Sequence, residues 1–182
     1  MSEESSDRPC TRFLLTGAPG IGKTTVLIRL AERLANLRIA GFYTEEVREG
    51  GRRQGFRAVT LAGDTAMLAH VRTKSRHRVG RYGVDVSAFE RLALPELQRP
   101  ADVVLIDEIG KMECFSARFV QAVERLLDSA IPVIATVALK GGGLIAEVKR
   151  RPDTEVIRVA HDNRDRLPAQ LAGSLAPTQG RD

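Results

Sequence analysis

The sequence has no tryptophan, and aromatic residues make up only 4% of it. A surface that stacks single-stranded bases needs several aromatic faces, so that mode of nucleic-acid binding is disfavoured. There are two cysteines, Cys10 and Cys114. Neither lies in a CxxC pair or beside a suitable histidine. They supply no disulfide framework and no Cys/His nucleophile, and a reduced, cytoplasmic setting is the expectation. Three histidines without ligand spacing argue against a zinc site. The absence of G-x-S-x-G argues against one familiar route to acyl transfer. No apolar run approaches roughly 18 residues, so no membrane span or membrane partner is expected. No internal repeat is present. The stretch Met1 to Asp7 is acidic and polar, the opposite of a secretory signal.

The chain has 182 residues, 43% of them hydrophobic and 28% charged. That is enough for one α/β domain with a sizeable core. The net charge of +5 is spread along the chain, which supports a polyanionic partner only weakly.

One stretch organises the rest: Gly17-Ala18-Pro19-Gly20-Ile21-Gly22-Lys23-Thr24-Thr25. It fits G-x-x-x-x-G-K-[ST], the phosphate-binding P-loop. An apolar run, Arg12 to Thr16, precedes it, and an amphipathic run, Val26 to Leu37, follows. The context is therefore strand, glycine loop, helix. The glycines let the backbone approach phosphate oxygens closely. Backbone N–H groups converge there at a helix N-terminus, where the dipole also favours anions. Lys23 would reach the β- and γ-phosphates, and the Thr24 hydroxyl would hold Mg²⁺. A dinucleotide fingerprint or a protein-kinase glycine loop would need glycine at 25, where Thr25 stands.

A second stretch, Val103-Val104-Leu105-Ile106-Asp107-Glu108, reads as a strand buried on both faces and ending in two carboxylates. Following a P-loop by some 80 residues, it resembles a Walker B element. Asp107 would bind Mg²⁺ directly or through its water shell. Glu108 would orient and deprotonate an attacking water, or else only cap the following turn.

Between these motifs, Ile39 to Thr44 reads as a strand continuing to a Gly50-Gly51 turn, with Arg52 to Leu61 returning: a β-hairpin inserted into the sheet. His70 to Arg81 carries Arg72, Lys74, Arg76, Arg78 and Arg81 with no apolar periodicity. It reads as a loop, either solvated or a lid that meets phosphates. Asp85 or Ser87 caps a helix to Leu97 that Pro95 should bend or end. Lys111 could touch phosphate or pair with Glu113. A helix spans Ser116 to Ser129, and a strand follows from Pro132 to Val137, where Thr136 could face the γ-phosphate or bond to backbone. Lys140 to Gly143 is a turn, and a short helix ends in Lys149-Arg150-Arg151, whose arginines could act on the transferring phosphoryl group or merely suit the helix dipole. Thr154 to Val159 is the last strand, and a helix starts near His161. Residues 1–10 read as a disordered lead, 11–172 as one domain and 173–182 as a fraying tail. The fold class is α/β: a mostly parallel P-loop NTPase sheet, helices on both faces, and the inserted hairpin.

These motifs together resemble a known family, the small P-loop nucleoside-triphosphatases first described in thermophiles, which includes the human cancer-related nucleoside-triphosphatase. The resemblance is carried by GAPGIGKTT (Gly17 to Thr25), GFYTEEVREGGRRQGF (Gly41 to Phe56), VVLIDEIGKME (Val103 to Glu113) and DNRDRLP (Asp162 to Pro168). It implies slow, Mg²⁺-dependent hydrolysis of nucleoside triphosphates (ATP, GTP, CTP, UTP and deoxy forms), tolerant of the base. A monomer is the expectation. The resemblance implies magnesium handling by Thr24 and Asp107, catalysis by Glu108 and Lys23, and a segment near the base at Asn163 and Arg164. Ala160 departs from the hydroxyl residue the family often has there, and nothing transfers onto Arg72 to Arg81. Two alternatives remain: a small nucleotide or metabolite kinase, which must exclude water and needs no water-activating glutamate, and a nucleic-acid-linked ATPase using the basic loop.

Overall fold

The computed structural model describes residues 11–175. A nine-stranded sheet runs in the order β5-β6-β4-β3-β2-β7-β8-β1-β9. Its strands are β1 (Arg12–Thr16), β2 (Ile39–Glu49), β3 (Arg52–Thr60), β4 (Thr65–His70), β5 (Arg78–Val79), β6 (Tyr82–Val84), β7 (Val103–Ile109), β8 (Val133–Val137) and β9 (Glu155–Arg158). The five from β2 to β9 in that order pair in parallel and form the core. The other four add an antiparallel wing.

The apolar strands alternate between the two faces, as a period of two requires. Val104 and Ile106 of β7 face α2 (Val86–Gln98), α3 (Ala117–Asp128) and α4 (Leu144–Arg150). Val103 and Leu105 face α1 (Lys23–Arg33) and α5 (Leu167–Leu175). Helices therefore cover both faces, as expected. On the first face Phe42, Phe89 and Phe119 meet edge to face, with centroids 5.4, 5.3 and 6.2 Å apart. Such pairs add stabilisation beyond the area they bury. Asp85 accepts from the Ala88 N–H and Ser116 from the Phe119 N–H, capping α2 and α3. No helix among the described residues is long and apolar enough to cross a membrane.

Several boundaries differ from the sequence reading. The inserted hairpin is larger than two strands, because Thr65–His70 adds a third and β5/β6 a small second hairpin. The basic run is consequently not one loop. His70 ends β4, and Arg78–Val79 turns through Gly80 onto β6. Helix α1 stops at Arg33, not Leu37, with Leu34 as its cap. Pro95 does not end α2, which continues to Gln98. Proline there forfeits only one bond in the last turn, and the Arg99 N–H bonds back to the Pro95 carbonyl. The last helix begins at Leu167 rather than His161 and runs to Leu175, into the stretch expected to fray. Cys10, the rest of the lead and residues 176–182 lie outside the described residues.

Candidate active site

The P-loop joins β1 to α1 at the carboxyl end of the parallel strands. Gly22 stands just before α1 with φ 107°, a conformation that glycine adopts without strain. Lys23 turns its ammonium back over the loop, donating to the carbonyls of Gly17 (3.1 Å) and Ala18 (3.3 Å).

Asp107 is the hub. It is 2% exposed, and its Oδ2 accepts from the Thr24 hydroxyl at 2.7 Å and from the Thr44 N–H and hydroxyl at 3.2 Å each. Its Oδ1 accepts from the Thr136 hydroxyl at 2.6 Å. Strand register explains the convergence. Phe42 pairs with Ile106, so Thr44 and Asp107 follow just beyond on neighbouring strands. The β7–β8 ladder breaks between Ile106↔Ala135 and Ile109↔Val137, a bulge that contains Asp107 and Glu108 and re-aims them. The peptide joining them is cis. Thr136 thus binds a carboxylate, not backbone. The sequence reading gives Thr44 no role; the signal was its place two residues beyond Phe42, where the parallel pairing of β2 with the Walker B strand ends.

A buried carboxylate with hydroxyl neighbours is a hard oxygen set. It suits a small divalent cation that shares its remaining positions with phosphate and water. The described residues hold no cluster of three or more His, Cys, Asp or Glu, so a closed protein cage is not what is built here. Thr24 and Asp107 are the side chains placed to hold such a cation.

Next to Asp107, burial and the Asp107 charge both raise the Glu108 carboxyl above its usual range, while Lys23 and Lys149 pull it down. Glu108 and Lys23 line the same cleft, about 590 Å³ in volume, which extends to Phe56, Leu68 and Val79 of the wing. Lys111 and Lys140 also line it. Lys111 makes no ion pair with Glu113, because Glu113 turns inward and is 4% exposed. Burial pushes the Glu113 carboxyl up to about 8, with the Glu108 and Asp107 charges adding to it.

That displacement carries a stability prediction. A carboxyl held above its ordinary 4.5 in the folded state keeps its proton there when the unfolded chain has lost it. The cost is absent below pH 4.5, grows as pH rises, and is complete above about 8. Glu113→Gln, which is neutral at every pH, should match the wild type at pH 4.5 and be more stable at pH 8 by a few kcal/mol, on the order of 1.4 per unit of displacement. Denaturant melts at the two pH values check this; an equal gain at both would contradict it.

Asn163 and Arg164 part company. The Asn163 side chain accepts from the Ala160 N–H and donates to the Arg158 carbonyl, both at 2.8 Å. It pins its own loop. The Ala160 contact is made by backbone, so the missing hydroxyl leaves it intact. Arg164 reaches the P-loop, donating to the Ile21 carbonyl at 3.2 Å. With Arg29, Asp165 and Gly22 it lines a separate cavity of about 290 Å³.

Several other basic groups are occupied elsewhere. Arg151 pairs with Asp128 and Asp153. Lys149 donates to the carbonyls of Ala138 and Leu139. In the wing, Arg48 and Arg53 pair with Glu46, Arg57 with Glu45 and Arg72 with Glu49. Arg78 and Arg81 donate to backbone carbonyls. Three glutamates thus neutralise much of the wing that a polyanion would meet. Cys114 is half-buried and its thiol is pushed up to about 12, which leaves it unreactive near neutral pH.

A family model described as NTPase matches residues 12–172. The chain belongs to this NTPase family. It is 37% identical over 172 residues to the nucleoside-triphosphatase THEP1 of Thermotoga maritima, covering 93% of this chain and 98% of that one. It is 44% identical over 172 residues to the human cancer-related nucleoside-triphosphatase, covering 84% and 90%. The crystal structure of THEP1 from Aquifex aeolicus superposes with a TM-score of 0.83 at 36% identity, over 91% of this chain and 99% of the other. The solution structure of the human protein gives 0.79 at 38%, over 93% and 99%. The family resemblance and the fold class drawn from sequence are both borne out.

Proposed function

We propose that this NTPase family member hydrolyses nucleoside triphosphates to nucleoside diphosphates and phosphate, with Mg²⁺, and with little regard to the base. The observation that carries the proposal is the meeting of the two motifs: Thr24 of the P-loop bonds to Asp107, with Glu108 next along on the cleft wall. The P-loop N–H groups and Lys23 hold the β- and γ-phosphates. Glu108 accepts a proton from a water as its oxygen bonds to the γ-phosphorus. The bond from that phosphorus to the β–γ bridging oxygen breaks, and the diphosphate leaves. Thr24 and Asp107 would hold Mg²⁺, whose charge would help to neutralise the phosphate oxygens. Base tolerance is supported by where the contacts lie: Lys23, Thr24 and Glu108 all serve phosphate and water, and Arg164 beside the smaller cavity meets backbone rather than a fixed polar pattern. The relatives named nucleoside-triphosphatases point the same way. A monomer acting in the cytoplasm completes the reading.

Phosphate release measured with ATP, GTP, CTP and UTP, each with and without RNA and small hydroxyl acceptors, tests it. Turnover should vary by less than about ten-fold across bases, since one lost base contact is worth roughly 1 kcal/mol. It should vanish on chelation of the metal and ignore RNA. Phosphate appearing on an acceptor instead of in solution would make the protein a kinase. Salt-sensitive stimulation by RNA would make it a nucleic-acid-linked ATPase.

A further inference from the structure

Glu113 takes no part in the chemistry so far, yet it is a buried acid on the wall of the cleft. Burying a carboxyl costs stability, so a fold that does so at a reacting centre is a place to look for function. Its position is tightly defined. The backbone N–H groups of Glu113 and Gly110 lie near its carboxyl and partly offset the cost of burying its charge. A Cβ built on Gly110 would stand 2.8 Å from the Glu113 Oε2 and 2.7 Å from the Glu108 Oε1. Two carboxyls therefore flank one bare Cα. Gly110 does not have the left-handed backbone that would by itself require glycine. A Cβ there would crowd both acids, so glycine leaves them room beside each other.

We propose that Glu113 is a positioning residue for Glu108: across Gly110 its carboxyl O–H hydrogen-bonds to the Glu108 carboxylate and holds it toward the attacking water. This rests on Glu108 being the group that activates water. Burial supplies the proton, since the Glu113 carboxyl, pushed up to about 8, keeps it at neutral pH. No hydrogen bond joins the two side chains in the structure. Catalytic hydrogen bonds often tighten only with substrate in place. Glu113 touches neither substrate nor metal and acts through Glu108 alone.

The test uses the full chain with Glu113→Gln, Glu113→Met and Gly110→Ala. It measures kcat for phosphate release at pH 7 and affinity for a non-hydrolysable triphosphate. Methionine matches the length but cannot donate, so Glu113→Met should lower kcat by at least about ten-fold while affinity stays within two-fold. Glutamine can donate an N–H and should lose less than about three-fold. Gly110→Ala, whose new Cβ would stand between the acids, should lose kcat like Glu113→Met. A packing role alone gives the reverse order, because a buried apolar Met is tolerated at least as well as Gln. Equal rates for Met and Gln, or wild-type kcat in Gly110→Ala, would overturn the proposal. If Glu113→Met does not fold, Glu113→Leu, which also cannot donate, takes its place against Glu113→Gln, because the Cβ of Gly110→Ala also presses on Glu108 itself. Glu108→Gln is the control: wild-type turnover there overturns the water-activation reading itself, whereas an inactive Glu108→Gln beside fully active Glu113→Met and Gly110→Ala overturns only the role of Glu113.

Discussion

Glu108→Gln is expected to bind triphosphate as the wild type does and to release phosphate more slowly by about 10²–10⁴-fold, the range a positioned general base supplies. The change is nearly isosteric and leaves Asp107 with its partners Thr24, Thr44 and Thr136. It removes only the ability to take a proton. Burial and the Asp107 charge raise the wild-type carboxyl, which brings its basicity closer to neutral pH, where a base is most effective. An amide has no such capacity at any pH. Single-turnover phosphate release with saturating ATP isolates the chemical step, and equilibrium titration with a non-hydrolysable analogue reports binding. A slow chemical step with unchanged affinity places Glu108 in the reaction. Wild-type turnover would reduce it to a cap on the turn before Gly110.

How much of this was legible depended on whether the signal was local. The P-loop is contiguous, and each residue type in Gly17 to Thr25 answers to phosphate geometry, so the stretch could be placed without a fold. Val103 to Ile106 was legible because a strand buried on both faces cannot alternate. The strand β4 was not. Thr65-Ala66-Met67-Leu68-Ala69-His70 has only one β-branched residue, and Ala, Met and Leu suit a helix equally well. What makes it a strand is its pairing to β3, a tertiary fact. The basic run misled for a related reason. Charge without periodicity looks like loop, yet β5 needs only two residues and takes its order from β6. Thr44 and Glu113 lay within recognised motifs, but their roles depend on direction. Thr44 gains its partner from the parallel register with β7, and Glu113, which opens the 3-10 turn Glu113–Phe115, is buried only through the fold around it. Asn163 shows the opposite limit: a motif match placed it near the nucleotide, while its side chain is spent on its own loop.

Lys23→Ala should weaken triphosphate binding by about 10–100-fold, because a hydrogen bond to a charged group contributes roughly 1.5–3 kcal/mol and the phosphates lose one such partner. The lysine is poised for the task. Its ammonium rests on the Gly17 and Ala18 carbonyls and makes no ion pair with any acid among the described residues. Phosphate can therefore engage it without breaking a salt bridge. Diphosphate should lose less affinity than triphosphate, since a lysine that reaches both the β- and γ-phosphates gives up only part of its contacts when the γ-phosphate is absent. Folding should be nearly unaffected. The Ala18 carbonyl is exposed and can take water in place of the ammonium, and only the Gly17 carbonyl is partly buried. Competition titrations with ATP and ADP against one labelled nucleotide give both affinities in a single experiment. An unchanged ATP affinity would mean that Gly17 to Thr25 is a strand-to-helix turn that does not cradle phosphate. An equal loss for ATP and ADP would keep the cradle but confine Lys23 to the β-phosphate, leaving the γ-phosphate to Lys111 or Lys140 on the same cleft.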